Sequence, residues 1–210
     1  MLNLKYLEKF DLNVPRETLE KINAYLLLLD KWNKTINLVA EKNIQSESFW
    51  NRHVIDSLQL IKHISRNSEI SDLGSGGGFP GIILAIFGYK VTLFEIDRRK
   101  SIFLKQVVQN LGLDAIVENL DINVYDTNLS AVITARAFTA LDNLIKIVYK
   151  KLPEKHKLIL LKGENYQQEI NKALSKYHMN ISLDESITNQ NSKIIIISDI
   201  KDASKNNSDS

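Results

Sequence analysis

Ten consecutive residues concentrate the chemistry of this chain. Asp72-Leu73-Gly74-Ser75-Gly76-Gly77-Gly78-Phe79-Pro80-Gly81 holds five of its eight glycines. Backbone without side chains can turn sharply and lets a ligand come closer than any Cβ would allow. Three polar groups then fall where strands should end. Glu95 lies about twenty residues past the glycines, where a carboxylate can accept both hydroxyls of a ribose. Arg136 follows Val132-Ile133, where a guanidinium can hold a carboxylate, a phosphate or a guanine edge. Lys162 follows Leu158-Ile159-Leu160-Leu161 as a second cation. The plainer alternatives are a solvated acid for Glu95, a structural ion pair for Arg136 and a solvated charge for Lys162. Cysteine is absent, which excludes a thiolate nucleophile and a Cys-ligated zinc. His53, in Asn51-Arg52-His53-Val54-Ile55-Asp56-Ser57, has no partner nucleophile or metal ligands in the pattern, so no metal is expected. The inventory points to holding and aligning a nucleoside-type ligand, not to proton transfer.

Two patterns overlap in the glycine turn. Asp72-x-Gly74-x-Gly76-x-Gly78 is the form seen in methyltransferases that use S-adenosylmethionine, and Gly76-x-Gly78-x-x-Gly81 also satisfies a dinucleotide fingerprint. A Walker-type phosphate loop is excluded, because no Gly-Lys-Ser/Thr follows. The turn alone does not choose the ligand.

The elements that must position these residues follow from periodicity. Glu69 to Leu73 predicts a strand and Ile82 to Phe87 a buried helix, with Pro80 in its first turn. Lys90 to Ile96 predicts a second strand, Asp97 to Leu111 a helix closed by Gly112, and Ala115 to Val117 a third strand. Strands at Ala131 to Ala135 and Leu158 to Leu161 alternate with helices at Thr139 to Leu152 and Gln167 to Lys176. Ile181 to Leu183 and Ile194 to Ile197 close the pattern as an antiparallel pair. Alternation of this kind gives an α/β, doubly wound, Rossmann-like fold with a mostly parallel seven-stranded sheet, whose ligands sit at the carboxyl ends of the strands. By that rule a loop at Asp121-Ile122-Asn123 can lay an apolar side chain and a polar neighbour against an adenine.

Residues 1–66 predict a helical extension packed on the core. Its main helix starts near Val14-Pro15, and Thr18, Ile22, Tyr25, Leu26 and Leu29 recur at helical spacing. Residues 67–200 form the core, and residues 201–210 are polar and expected to be disordered. With 210 residues, 44% of them hydrophobic, one domain with an extension is favoured over two independent domains. The start of the chain has no basic n-region or long apolar h-region, and Tyr25-Leu26-Leu27-Leu28-Leu29 is too short to span a bilayer. A cytoplasmic location without a membrane partner is expected. A net charge of +2 permits a nucleic-acid partner only if basic residues gather on one face.

Taken together, Lys31-Trp32-Asn33-Lys34, Asn37-Leu38, Arg52-His53-x-x-Asp56-Ser57, the full glycine turn, Phe103-Leu104-Lys105-Gln106-Val107, Thr134-Ala135-Arg136-Ala137 and Leu161-Lys162-Gly163 resemble the RsmG/GidB family over roughly residues 5 to 200. The resemblance implies a class I methyltransferase that moves the methyl group of S-adenosylmethionine to N7 of one guanine in the 530 loop of 16S rRNA. The partner it implies is 16S rRNA in the small ribosomal subunit, and a monomer is expected. Family cofactor contacts carry over to Gly74, Phe79, Arg136 and the Ile122-Asn123 pair. Gly76, Gly78 and Glu95 join them from the reading of the turn and strand ends. Arg136 and Lys162 are expected to position reactants, with no general base. The chain departs from the family pattern at Asp121 and Asn123, and it lacks the basic C-terminal extension of some relatives. Two other readings remain: a dinucleotide-dependent oxidoreductase, and a non-catalytic module that binds the adenosyl cofactor or RNA.

Overall fold

The first third of the chain is helical because its apolar residues recur at helical spacing. In the computed structural model, which describes residues 2–10, 12–124 and 128–204, α1 spans Leu4–Glu8 and α2 spans Arg16–Asn33. Pro15 sits just before α2, and the buried stripe is Leu19, Ile22, Tyr25, Leu26 and Leu29. Leu19, not the expected Thr18, opens that stripe, since the aliphatic chain gains more from burial than the hydroxyl does. A second helical stretch follows. It starts as α3 (Glu47–Phe49), widens into a π-helical turn at Trp50–Ile55, narrows to α4 (Asp56–Leu58) and ends as a 3₁₀ turn at Gln59–His63. The π turn is not visible in the sequence, and such turns occur often at functional sites.

From Glu69 onward strands and helices alternate. The strands are β1 (Glu69–Leu73), β2 (Lys90–Phe94), β3 (Ala115–Glu118), β4 (Val132–Arg136), β5 (Lys157–Lys162), β6 (Tyr177–Glu185) and β7 (Lys193–Asp202). Between them run α5 (Gly81–Ile86), α6 (Arg98–Leu111), α7 (Leu141–Val148) and α8 (Tyr166–Leu174). They form a seven-stranded mixed sheet of order β3-β2-β1-β4-β5-β7-β6. The pairings from β3 through β5 are parallel, while β7 runs antiparallel to both β5 and β6. Strand order reverses between β1 and β4, so the carboxyl end of β1 opens at a switch point. The last strand continues through Lys201 and Asp202, two residues into the segment expected to be a polar tail. Those residues have partners, because Lys201 pairs with His178 and Asp202 with Tyr177. Residues 205–210 of that expected tail lie outside the described residues.

Apolar side chains fill both faces of the sheet. On one face, α2, α4, α5 and α6 share a core with Ile70, Val91, Leu93 and Val132. On the other, Leu73, Phe94, Ile133, Ala135 and Leu160 pack under α7 and α8. The α2 helix lies against α5 and α6 through a run of rings. Tyr25 stands 5.3 Å from Phe79 and 6.5 Å from Phe103, and Trp32 stands 5.9 Å from Phe103. Among the described residues no helix is long and apolar enough to cross a membrane.

Candidate cofactor and substrate site

The glycine turn leaves β1 at the switch point and enters α5. Gly74 adopts φ +66, and a Cβ there would fall 2.4 Å from Cδ2 of Phe138. Both the backbone conformation and the Phe138 ring therefore require glycine. Pro80 immediately precedes α5, one residue earlier than expected, and follows a cis peptide bond. Gly74 and Gly76 stay partly accessible, whereas Gly77, Gly78 and Phe79 are buried. The far side of the turn is held from below. The Tyr25 hydroxyl donates to the Gly77 carbonyl. At its base Asp72 is buried, and Thr134, its register partner on β4, donates to Oδ1 at 2.8 Å. Burial pushes the Asp72 carboxyl up to about 6 against that hydrogen bond.

Glu95 follows β2 and folds back onto the turn. Its Oε2 accepts from the Gly76 amide at 2.7 Å, and its Oε1 accepts from the Asp97 amide at 2.8 Å. Each carboxylate oxygen has a further lone pair, so the group braces the turn and can still accept a ribose hydroxyl. Asp97 caps α6 by accepting from the amides of Arg99 and Lys100. In the next loop, Ile122 is buried with Leu73 and Phe94, while Asn123 is exposed and its amide nitrogen lies 2.6 Å from Asp121.

Arg136 ends β4 and turns toward the N-terminal helices. Its Nη1 donates to the Arg52 carbonyl at 2.8 Å, its Nη2 lies 2.7 Å from Nδ1 of His53, and its guanidinium carbon sits 5.3 Å from the Phe79 ring centroid. A guanidinium can only donate, so His53 accepts at Nδ1 and carries its proton on Nε2. That proton faces Oε2 of Glu41 at 2.9 Å. Burial, with the Arg136 charge adding to it, lowers the His53 imidazole to about 4, so it is neutral at neutral pH. Burial pulls Glu41 the other way, but His53 and Arg52 outweigh it and keep its carboxyl below its ordinary value. Arg52 pairs with the other Glu41 oxygen at 3.2 Å. Ala137, next to Arg136, has φ +49, an uncommon conformation for a residue with a side chain.

These groups line a cleft of about 1190 Å³ between the N-terminal helices, the ends of β4 and β5, and the loop joining β6 to β7. Lys162 lines it as well, with Nζ donating to Glu169 at 2.8 Å and to the Thr139 carbonyl at 2.9 Å. Glu169 also accepts the Leu141 amide at 2.7 Å, so this pair anchors the start of α7. Among the described residues no His, Cys, Asp and Glu group could hold a metal ion.

The structure thus gathers the expected residues into two neighbouring places. Gly74, Gly76 and Glu95 meet at the open turn, with the Ile122-Asn123 loop beyond the end of β3. Arg136 and Lys162 stand in the cleft. Phe79, expected among the cofactor contacts, is 3% exposed, and its ring lies beneath Arg136 against Tyr25, Phe49 and His53. Gly78 is likewise buried. Sequence reasoning missed Glu41, Phe138, Thr188 and the brace of Tyr25 on Gly77. Asn33 explains part of the Trp-Asn signature: its Oδ1 accepts from the amides of Leu38 and Val39 at 2.8 and 3.1 Å, shaping the loop that delivers Glu41. Nothing in the sequence pattern marks Glu41 or Thr188.

Comparison with known proteins completes the description. The family model described as GidB, rRNA small subunit methyltransferase G, matches residues 18–196. The ribosomal RNA small subunit methyltransferase G of Rickettsia bellii (strain OSU 85-389) is 39% identical over 193 residues, covering 90% of this chain and 97% of its own. The protein of the same name from Orientia tsutsugamushi (strain Ikeda) is 40% identical over 199 residues, covering 93% and 95%. Among solved structures, the PH0226 protein from Pyrococcus horikoshii OT3 superposes with a TM-score of 0.61 at 11% identity, over 81% of this chain and 99% of that one. A mutant of MtNAS in complex with S-adenosylmethionine superposes with a TM-score of 0.57 at 16% identity, over 85% and 74%. At such identities the likeness of these structures shows a shared fold.

Proposed function

Because the chain belongs to the GidB family of small-subunit rRNA methyltransferases G, we propose that it transfers the methyl group of S-adenosylmethionine to N7 of a guanine in the 530 loop of 16S rRNA. The observation that carries this reading is an open glycine turn, braced by Glu95, whose Phe79 lies under the Arg136 of a wide cleft where the histidine is held neutral and hydrogen-bonded on both nitrogens. Such a site holds and aligns reactants without a free general base.

The residues present fit an adenosyl cofactor. Gly74 and Gly76 keep the backbone of the turn accessible, and Glu95 offers lone pairs beside it. In this reading Gly74, Gly76, Glu95, Ile122, Asn123 and Arg136 hold the cofactor, while the buried Gly78 and Phe79 shape the turn beneath it. Bound there, S-adenosylmethionine supplies a methyl group on a positively charged sulfur. Guanine N7 carries its lone pair in the neutral base, so no group on the protein need remove a proton. With the cofactor bound, N7 would take the methyl group as its bond to sulfur breaks, which would move the positive charge onto the base. What the chain supplies is alignment. Arg136 is fixed at three points, by His53, the Arg52 carbonyl and the Phe79 ring. Lys162 positions the start of α7 at the edge of the cleft.

We read residues 1–66 as a helical extension that walls the cleft, and residues 67–200 as the methyltransferase core. The protein acts as a monomer in the cytoplasm, where its ribosomal substrate is found. The dinucleotide-dependent oxidoreductase is set aside, since the chain belongs to a family of methyltransferases.

The test is to incubate the protein with methyl-labelled S-adenosylmethionine and small subunits from a strain lacking the modification, then to map the label. Label on a guanine of the 530 loop supports the reading. Tight NAD binding without S-adenosylmethionine binding in calorimetry overturns it, and binding without transfer leaves a non-catalytic module.

A further inference from the structure

Three carboxylates line the cleft, and they are not equivalent. Glu41 pairs with Arg52 and His53, and Glu169 pairs with Lys162. Asp56, among the described residues, has no ion pair. The charges of Arg136 and Arg52 reach it without direct contact, and its hydrogen-bond donors are neutral. Both the Thr188 hydroxyl and the Gln59 amide donate to the same oxygen, Oδ1. The Gln59 amide also donates to Ser186 at 3.3 Å, and the Ser186 hydroxyl lies 2.9 Å from that of Thr188, closing a ring of polar groups behind the carboxylate. Gln59 and Ser186 are buried, and the Gln59 carbonyl is fixed by the Ile187 amide at 3.0 Å. The ring locks the Asp56 rotamer. Oδ2 has no hydrogen-bond donor among the described residues.

An open carboxylate oxygen is a hydrogen-bond acceptor, and the donors that RNA offers it lie on bases and ribose hydroxyls. Bases splayed from a single strand are commonly recognised on their Watson–Crick edge. Guanine alone presents two adjacent donors there, N1–H and the N2 amino group, on the far side of the purine from N7. Adenine and cytosine each turn a ring lone pair toward an acceptor at that place. The interaction also strengthens during the reaction. As N7 takes the methyl group the ring becomes positive and N1–H becomes a better donor, so a fixed carboxylate favours the transition state over the ground state.

We propose that Asp56 reads the target base, its Oδ2 accepting from the Watson–Crick edge of the guanine while N7 is methylated. The proposal rests on the rRNA methyltransferase reading above. Thr188, Gln59 and Ser186 act through Asp56 as positioning residues.

The experiment compares wild type with Asp56→Asn on small subunits from a strain lacking the modification and on reconstituted subunits carrying adenosine or 1-methylguanosine at the mapped target. Calorimetry with S-adenosylmethionine runs alongside. Asp56→Asn should bind the cofactor as wild type does but lose about 100-fold in kcat/KM on guanosine. Its amide can donate to adenine N1, so its preference for guanosine over adenosine should fall by at least about tenfold. On wild type, 1-methylguanosine removes N1–H and should lower transfer by about 100-fold, a readout that does not depend on any variant folding. Equal transfer to guanosine and 1-methylguanosine by wild type overturns the proposal. So does an unchanged base preference in Asp56→Asn, or a loss of cofactor binding that accounts for its lost transfer. If wild type labels no subunit at all, the methyltransferase reading fails first and this assignment with it.

Discussion

The guanidinium of Arg136 donates to Nδ1 of His53 across 2.7 Å, and the opposite nitrogen of that imidazole faces Glu41 at 2.9 Å. Residues 83 apart in sequence thus form one line from the loop after α2 to the end of β4. The imidazole acts as a neutral spacer. It accepts from one partner, donates to the other, and has no nitrogen left for proton transfer. This arrangement turns a histidine that resembles a general base into a support for an arginine.

Arg136→Ala should abolish methyl transfer while the fold survives. The His53 nitrogen and the Arg52 carbonyl lose their donor, which costs about 1–3 kcal/mol of stability, seen in a melt as roughly 2–4 °C per kcal/mol for a chain of this size. Arg136→Lys keeps the charge but cannot reach both acceptors as a fork, and it should lose on the order of 100-fold in transfer. Transfer at the wild-type rate in either variant would refute the role given to Arg136.

The His53 imidazole should titrate near 4 and carry its proton on Nε2 at neutral pH. The unfolded chain protonates this residue near its ordinary value of about 6.5. Between those values the unfolded state binds more protons, so the His53 contribution is fully present above about 6.5 and is lost as pH falls toward 4. Asp72, raised to about 6, works against this slope. The comparison should therefore be the stability of wild type minus that of His53→Gln as a function of pH. Nitrogen-detected NMR reads the tautomer directly, and a proton found on Nδ1 would break the line from Glu41 to Arg136.

Glu95→Gln should weaken binding of S-adenosylmethionine by roughly tenfold, with a smaller effect on the melting temperature. The two side-chain oxygens face two backbone amides, so an amide group in place of either oxygen sets donor against donor at Gly76 or Asp97. Calorimetry checks it. Unchanged affinity would mean that neither the brace on the turn nor a ribose contact matters.

Gly81→Ala should destabilise the fold by about 1–3 kcal/mol or more. The added Cβ would fall 2.3 Å from Cδ2 of Leu93 and 2.6 Å from Oδ2 of Asp72, both in the core under the turn. The sequence presents Gly81 as part of a ligand fingerprint. In the fold it is the point where α5 presses onto β1 and β2. A melting temperature equal to wild type would show that the neighbours yield freely.

Most strands and helices were legible because alternation and helical spacing are local properties. The spans of β1 and α6, with Gly112 closing the helix, came close to what the structure shows, which makes Asp97 the cap before α6 and not its first residue. The end of β7 did not, because Lys201 and Asp202 are polar residues whose strand conformation comes from pairing with His178 and Tyr177. The π turn at Trp50–Ile55 also escaped, since it forms where helix backbone yields to packing and leaves no compositional mark.

The sequence by itself determined the open glycine turn, the carboxylate after β2 and the cation that ends β4, because strand ends and glycine spacing follow from short-range patterns. Only the tertiary structure decided what those groups do with one another. It buried Phe79 beneath Arg136, made His53 a neutral acceptor and tied Lys162 to Glu169. Among the described residues it also left one oxygen of Asp56, a residue of the cleft, without a hydrogen-bond donor. Each of these outcomes depends on burial and on partners distant in sequence, and desolvation and hydrogen-bond geometry exist only once the chain has closed around them.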